Sequence, residues 1–350
     1  MSIMPNTNKR SNLIDLAKMA DVSISTVSRV LNNKDSRIKI SDKKQQEIRR
    51  LAEEYDYSPN IHARRLSTKR CQTIGLSVPL RKVTTKDSLL QSGAFLEMLE
   101  GVEQAIGTSD YFLLLMFQNE RYFKEKLYSN MLKEQVISGL IVWGSTLRDD
   151  YLKSVVNENC IIINSYPQID CEFNYIGNTE NEAFGHLVEY FIKKGHRRFV
   201  YVGECGVFNS VGMERVNGFR RILTQYSLDS SRIYQCHFDR EQAFAIFDKI
   251  LSESKIDFDV VAAASDDLAI GVFQAAQKHG YRIPGDFIIA GAGDMGLDFP
   301  DSSKIPTFRV NNWRIGELAV QKTLEKLSQK SSEKIHIELP CELVIPDEYK

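Results

Sequence analysis

From residue 72 onward the chain repeats one pattern, and few folds accept it. Short continuous apolar runs alternate with segments of helical periodicity. The runs are Thr73-Ile74-Gly75-Leu76-Ser77-Val78, Tyr111-Phe112-Leu113-Leu114-Leu115-Met116, Gly139-Leu140-Ile141-Val142-Trp143 and Cys160-Ile161-Ile162-Ile163-Asn164, with helical stretches at 95–106 and 121–135. A strand that is apolar on both faces belongs in a parallel sheet covered by crossover helices. The rhythm restarts after about residue 178, with helices at 180–194, 216–226 and 268–279. The strands between them are Phe199-Val200-Tyr201-Val202, Val260-Val261-Ala262-Ala263 and Phe287-Ile288-Ile289-Ala290. Two similar α/β halves predict two lobes and a cleft. Ligands of open parallel sheets bind beyond the carboxyl ends of the strands. Near residues 306–310 the chain is expected to cross back, put a helix at 312–330 on the first lobe, and end in strands over 335–345.

The first 70 residues read differently. Residues 12–20 form a short predicted helix, with Asn12 as N-cap and Asp15 where a capping-box acid belongs. A tight turn, Ala20-Asp21-Val22, leads to Ser23, which caps a second helix. That helix has an apolar seam of Val27, Val30 and Leu31, and a small polar face of Ser25, Thr26, Ser28, Arg29 and Asn32. An ordinary surface helix carries Glu, Lys and Gln there. Small hydroxyls and one Arg instead let the backbone approach a flat, polar, negatively charged partner. A third amphipathic helix at 41–55 brings Ile48, Leu51, Ala52 and Tyr55, enough to close a small core. Two short helices, a tight turn and a hydroxyl-rich second helix describe a helix-turn-helix. Residues 1–11 read as a disordered arm. Residues 60–68 have helix formers but little apolar face, and so short a helix is marginal in water until something supports it.

Charge separates head from body. Residues 1–70 carry 15 Lys and Arg against 8 Asp and Glu, a net of +7. The whole chain carries 45 against 46, which leaves −8 for residues 71–350. A basic head on an acidic body suits a head that meets phosphates. No apolar run is long enough for a transmembrane helix. The polar first ten residues lack the apolar core of an export signal, so a cytoplasmic protein without membrane contact is expected. The six Cys show neither CxxC nor a His at zinc spacing. Reduced thiols, no metal and no cofactor are therefore expected.

The run from Asp15 to Leu66 resembles the LacI/GalR family of bacterial transcriptional regulators. The matching residues are Asp15, Ala17, Ala20, Val22-Ser23, Thr26-Val27-Ser28-Arg29-Val30-Leu31-Asn32, Tyr57-Ser58-Pro59-Asn60, Ala63-Arg64 and Leu66. The body resembles the periplasmic-binding-protein fold of that family's effector domain. The implied architecture is α/β. A three-helix DNA-binding head spans 1–58, a hinge helix and linker 59–71, and a two-lobed effector and dimerisation domain of parallel sheets 72–350. Lobe 1 would hold about 72–178 and 311–330, and lobe 2 about 179–310 and 331–345.

The resemblance also implies roles. The helix of Ile24 to Asn32 would lie in the DNA major groove. Ile24 and Ser25 would choose the base sequence, and Thr26, Ser28, Arg29 and Asn32 would add base or phosphate contacts, with Tyr57 alongside. Asn60, Ala63, Arg64 and Leu66 match the hinge helix. Two hinges, one per subunit of a homodimer, would pack in the minor groove of a pseudo-palindromic operator, with Leu66 wedged into the central step. The effector positions are Trp143, Asn164, Asn178, Arg215, Phe238, Ser265, Asp266 and Asp294. Aromatic faces beside polar groups suit a sugar ring, so a repressor of carbohydrate-utilisation genes is the leading reading. Ser265, Ala292-Gly293-Asp294 and Asn178-Thr179 depart from the family's commoner residues, which leaves a sugar phosphate or a nucleoside open. An enzyme is disfavoured because no nucleophile–base pair, Walker loop or full GxGxxG is present. An exported solute-binding protein is disfavoured by the basic head.

Overall fold

Asn12 starts the first helix with a reciprocal cap. Its side chain accepts from the Ile14 and Asp15 amides at 2.9 and 3.1 Å, while its own amide donates to the Asp15 carboxylate at 3.1 Å. The structure is a computed structural model. It describes residues 12–31, 40–57, 71–79, 93–144, 150–156, 159–164, 166, 170–205, 210–253, 256–294, 304–329 and 333–350. Contacts divide the chain after Cys71 into two units.

The first unit holds α1 (Leu13–Met19), α2 (Ile24–Leu31) and α3 (Asp42–Glu54). Leu16, Ala17, Val27, Val30, Ile48, Leu51 and Ala52 form its core. Asp21 takes a left-handed φ of 48° between α1 and α2. Lys44 of α3 donates to the Ala20 carbonyl at 3.0 Å, fixing the third helix under the turn.

The second unit runs in chain order through β1 (Thr73–Pro79), α4 (Gly93–Gly107), β2 (Phe112–Gln118), α5 (Glu120–Lys124), α6 (Leu127–Lys133), β3 (Gly139–Trp143), β4 (Cys160–Ile163) and β5 (Asn174–Asn178). It continues with α7 (Glu180–Lys193), β6 (Phe199–Gly203), α8 (Ser210–Gln225), β7 (Ile233–Gln235), α9 (Arg240–Glu253), β8 (Val260–Ala263), α10 (Asp266–Lys278) and β9 (Ile288–Ala290). It ends with β10 (Thr307–Arg309), α11 (Asn312–Gln329), β11 (His336–Leu339) and β12 (Glu342–Val344). Six strands form one parallel sheet in the order β11-β5-β4-β3-β1-β2, and four form a second in the order β7-β6-β8-β9. Alternate residues of β3 feed opposite faces. Leu140 and Val142 join one core, Ile141 and Trp143 the other. Each such buried side chain contributes about 1.5–3 kcal/mol.

α4 and α11 cross with backbones nearly touching. A Cβ on Gly101 would lie 1.9 Å from the Trp313 carbonyl oxygen, and one on Gly316 would lie 2.1 Å from that of Met98. Only glycine fits at either place, so α11 is fastened to the first lobe.

Two expectations are corrected. The segment 331–345, assigned whole to lobe 2, is shared. β11 extends the first-lobe sheet beside β5, with Ile337 opposite Ile176. β12 pairs antiparallel with β10, Leu343 opposite Phe308, against the second core. The reason is that buried Asn174 accepts from the Ile335 amide at 3.1 Å and donates to the Cys160 carbonyl at 2.9 Å, which ties the final crossover to the first sheet. The helical stretch at 121–135 is also broken, because Lys126 is left-handed at φ 47°. Asn130 donates to the Glu125 carbonyl there and caps the end of α5. Among the described residues no helix is long and apolar enough to cross a membrane.

Candidate functional site

α2 presents two opposite faces. Val27 and Val30 are buried in the head core, and Ile24 is 46% exposed. Ser25 is exposed, while Thr26, Ser28 and Arg29 are half-buried. Ser23 organises the start of the helix. Its hydroxyl lies 2.8 Å from both the Ser25 and Thr26 hydroxyls and accepts from the Thr26 amide at 3.2 Å. The result is a small, pre-ordered hydroxyl surface with one apolar side chain at its edge. Tyr57 is half-buried against the same core, with its amide on the Ala52 carbonyl at 2.8 Å, and burial raises its phenol pKa. Asn32, Asn60, Ala63, Arg64 and Leu66 lie outside the described residues.

In the body, Asn164, Asn178, Ser265, Asp266 and Asp294 lie at or just beyond the carboxyl ends of strands, whereas Trp143 ends β3 within the first-lobe core, Arg215 lies on α8 and Phe238 packs against the second core. Asn164 follows β4 with φ 60°, and Asn178 ends β5. They belong to one chain of amides. The Asn311 amide donates to Asn178 at 3.1 Å, Asn178 to Asn164 at 3.3 Å, Asn164 to Asn312 at 3.3 Å, and Asn312 to the Glu97 carboxylate at 3.3 Å. Asn311 also donates to the Pro340 carbonyl at 3.0 Å. All three passages between the lobes are thereby linked. Glu97 lies on α4, and burial pushes its carboxyl above the usual range, with Glu100 and Asp294 adding repulsion. Asp294 belongs to the second lobe, so the charge on Glu97 is opposed from across the lobes.

Trp143 is 6% exposed and packs at 5.3 Å on Phe95 inside the first-lobe core. Phe238 is half-buried against the second core.

Arg215 is buried on α8. Its Nε donates to Glu180 Oε2 at 2.8 Å, another guanidinium nitrogen donates to the Ala264 carbonyl, and its plane lies 5.4 Å over Phe308. Burial works against its charge, yet Glu180 holds the guanidinium above its ordinary pKa. Ser265 caps α10, accepting from the Leu268 amide at 3.2 Å. Asp266 accepts from the Thr307 hydroxyl at 2.7 Å. Asp294 accepts from Arg309 Nε at 2.7 Å. Sequence reasoning missed Glu97, Glu180, Asn311 and Asn312. None carries a spacing signal, since each partner is distant in the chain. Among the described residues no group of His, Cys, Asp and Glu could hold a metal ion, and all six cysteines are free.

Residues 12–60 match bacterial regulatory proteins of the lacI family, and residues 188–346 match the periplasmic binding protein-like domain. The transcriptional repressor PurR of Vibrio parahaemolyticus is 28% identical over 343 residues, covering 96% of this chain and 98% of its own. The lac repressor dimer bound to operator and the anti-inducer ONPF superposes with a TM-score of 0.83 at 21% identity, over 96% of this chain and 98% of that one. The regulator CelR in complex with cellobiose superposes with a TM-score of 0.68 at 21% identity, over 96% and 99%. The exposed hydroxyl face of α2, the two parallel sheets and these matches agree, and the chain belongs to the lacI family of bacterial regulatory proteins: it is a DNA-binding transcriptional regulator, not an enzyme.

Proposed function

We propose that the protein is a cytoplasmic, homodimeric repressor of carbohydrate-utilisation genes, released from or held on its operator by a small ligand between the lobes. The observation that carries the DNA-reading half is α2. Its seam is closed into the core by Val27 and Val30, while Ile24, Ser25 and Thr26 stay on an ordered outer face. Ile24 offers only apolar contact, such as a thymine methyl, and Arg29 is suited to guanine or phosphate. Asn60, Ala63, Arg64 and Leu66 supply the hinge in this reading. The two hinges fold only together on DNA, and a ligand that changes the lobe angle moves them apart. That is control through an order–disorder element.

The ligand half rests on the strand-end candidates Asn164, Asn178, Ser265, Asp266 and Asp294, with Phe238 half-buried in the same lobe as the last three, and on the cellobiose complex of a protein with the same fold. Trp143 and Arg215 are taken up by the core and by Glu180. The amide chain through Asn178, Asn164 and Asn312 gives the lobe angle a physical seat. Selection of duplexes from a random-sequence pool by the full-length protein tests the reading. It should enrich a pseudo-palindrome; a pool in which no sequence is enriched overturns it.

A further inference from the structure

β6 delivers Glu204 to the carboxyl end of the second sheet. The Ala264 amide donates to the Val202 carbonyl at 2.8 Å, so Glu204 sits in the same row of strand ends as Ala264 and Ser265. Glu204 is 2% exposed. Its Oε2 lies 2.7 Å from His237 Nδ1, and its Oε1 has no hydrogen-bond partner. Ser210, the first residue of α8, is 1% exposed, and its hydroxyl is likewise without a partner. The two belong to one junction. A Cβ at Gly212, two residues into the same helix, would lie 2.8 Å from Glu204 Cβ and 3.2 Å from its Cγ. Buried carboxylate oxygens and hydroxyls are almost always satisfied, because leaving one bare forfeits its hydration. Two bare atoms at one strand end, in the row that carries the effector candidates, point to a ligand that completes them.

The surrounding charge says what kind of ligand. Asp266 and Asp294 add acids at the strand ends of this lobe, and two of the guanidinium groups beside them are already held. Arg215 is bonded to Glu180 and Arg309 to Asp294. A phosphate or carboxylate entering here would meet carboxylates and find neither guanidinium available. A hydroxyl or ammonium would find acceptors.

We propose that Glu204 Oε1 and Ser210 Oγ form a subsite for a hydrogen-bond-donating group of the effector, which is a neutral or cationic polyhydroxylated molecule, and that this end of the cleft rejects phosphorylated and carboxylated sugars. The inference rests on the reading of the interlobe cleft as the effector site. It favours the free or amino sugar over the sugar phosphate.

Calorimetric titration of the full-length protein tests it, with cellobiose, glucose, glucosamine, glucose 6-phosphate and glucuronate as probes. Wild type should bind at least one of the first three and neither of the last two. Glu204→Gln and Ser210→Ala should each weaken that binding about tenfold or more. Ser210→Ala should melt at the wild-type temperature, since its hydroxyl has no bond to lose. Affinity unchanged in both variants but lost in Asp266→Asn overturns the subsite and leaves the cleft reading standing. Preference for an anionic probe overturns the subsite's selectivity. Binding of no probe overturns the effector reading together with the subsite.

Discussion

Arg215 Nε donates to Glu180 Oε2 across 2.8 Å, with the two side chains only 7% and 4% exposed. The pair fastens α8 to the first turn of α7, directly where the chain enters the second lobe. Removing one partner leaves the other charge buried. Arg215→Ala should therefore destabilise the body by about 3–5 kcal/mol, measured by denaturant unfolding. Glu180→Gln combined with Arg215→Met should recover much of the loss, because no bare charge remains. A stable Arg215→Ala protein would contradict the structural role and return Arg215 to the ligand alone.

The two faces of α2 should separate cleanly under mutation. Val27→Ala removes fully buried methyl groups and should cost the head about 1–3 kcal/mol. Ile24→Ala sits on an exposed position and should change stability by no more than about 0.5 kcal/mol while altering which operator is preferred. Thermal melting and competition binding against the selected duplex give the two readouts. Equal stability losses in the two variants would contradict the assignment of faces.

Leu66→Ala tests the hinge. Operator affinity should fall while ligand affinity stays unchanged, as measured by anisotropy and calorimetry. Unchanged operator affinity would show that Leu66 is not a wedge.

Glu97 predicts a pH dependence. Burial raises its folded-state pKa above that of the unfolded chain, so the folded state binds the proton more tightly. Its contribution is fully present below the unfolded value and is lost as pH rises through the folded value. Glu97→Gln keeps an acceptor for Asn312 without the charge. The variant should be more stable than wild type near neutral pH, and the gain should vanish as the medium is acidified below the carboxylate range. A gain independent of pH would mean that charge is not the cause.

Much of this molecule is legible in its sequence, and what is not has physical reasons. Runs such as Cys160-Ile161-Ile162-Ile163 announce buried strands because both faces must be apolar. β5 is hidden because Asn174, Tyr175 and Asn178 look polar, yet each is buried, and Asn174 makes its bonds to Cys160 and Ile335. α9 is nearly as quiet, since its buried residues are few: Ala243, Phe247 and Leu251. The seam of α2 and the Asn12 cap are local, so spacing reveals them. The pairing of Arg215 with Glu180 spans 35 positions, and Asn312 reaches Glu97 across 215. No periodicity encodes such contacts; only the folded topology brings them together.

Two copies of this head should read one two-fold site. The most direct test is the affinity of the full-length protein for the selected pseudo-palindrome, compared with the same duplex carrying one scrambled half-site, across a salt series. Scrambling one half should cost about a hundredfold or more, and log affinity should fall steeply and linearly with log salt, because binding releases the counterions condensed on the DNA phosphates. Equal affinity for both duplexes would contradict reading by two heads.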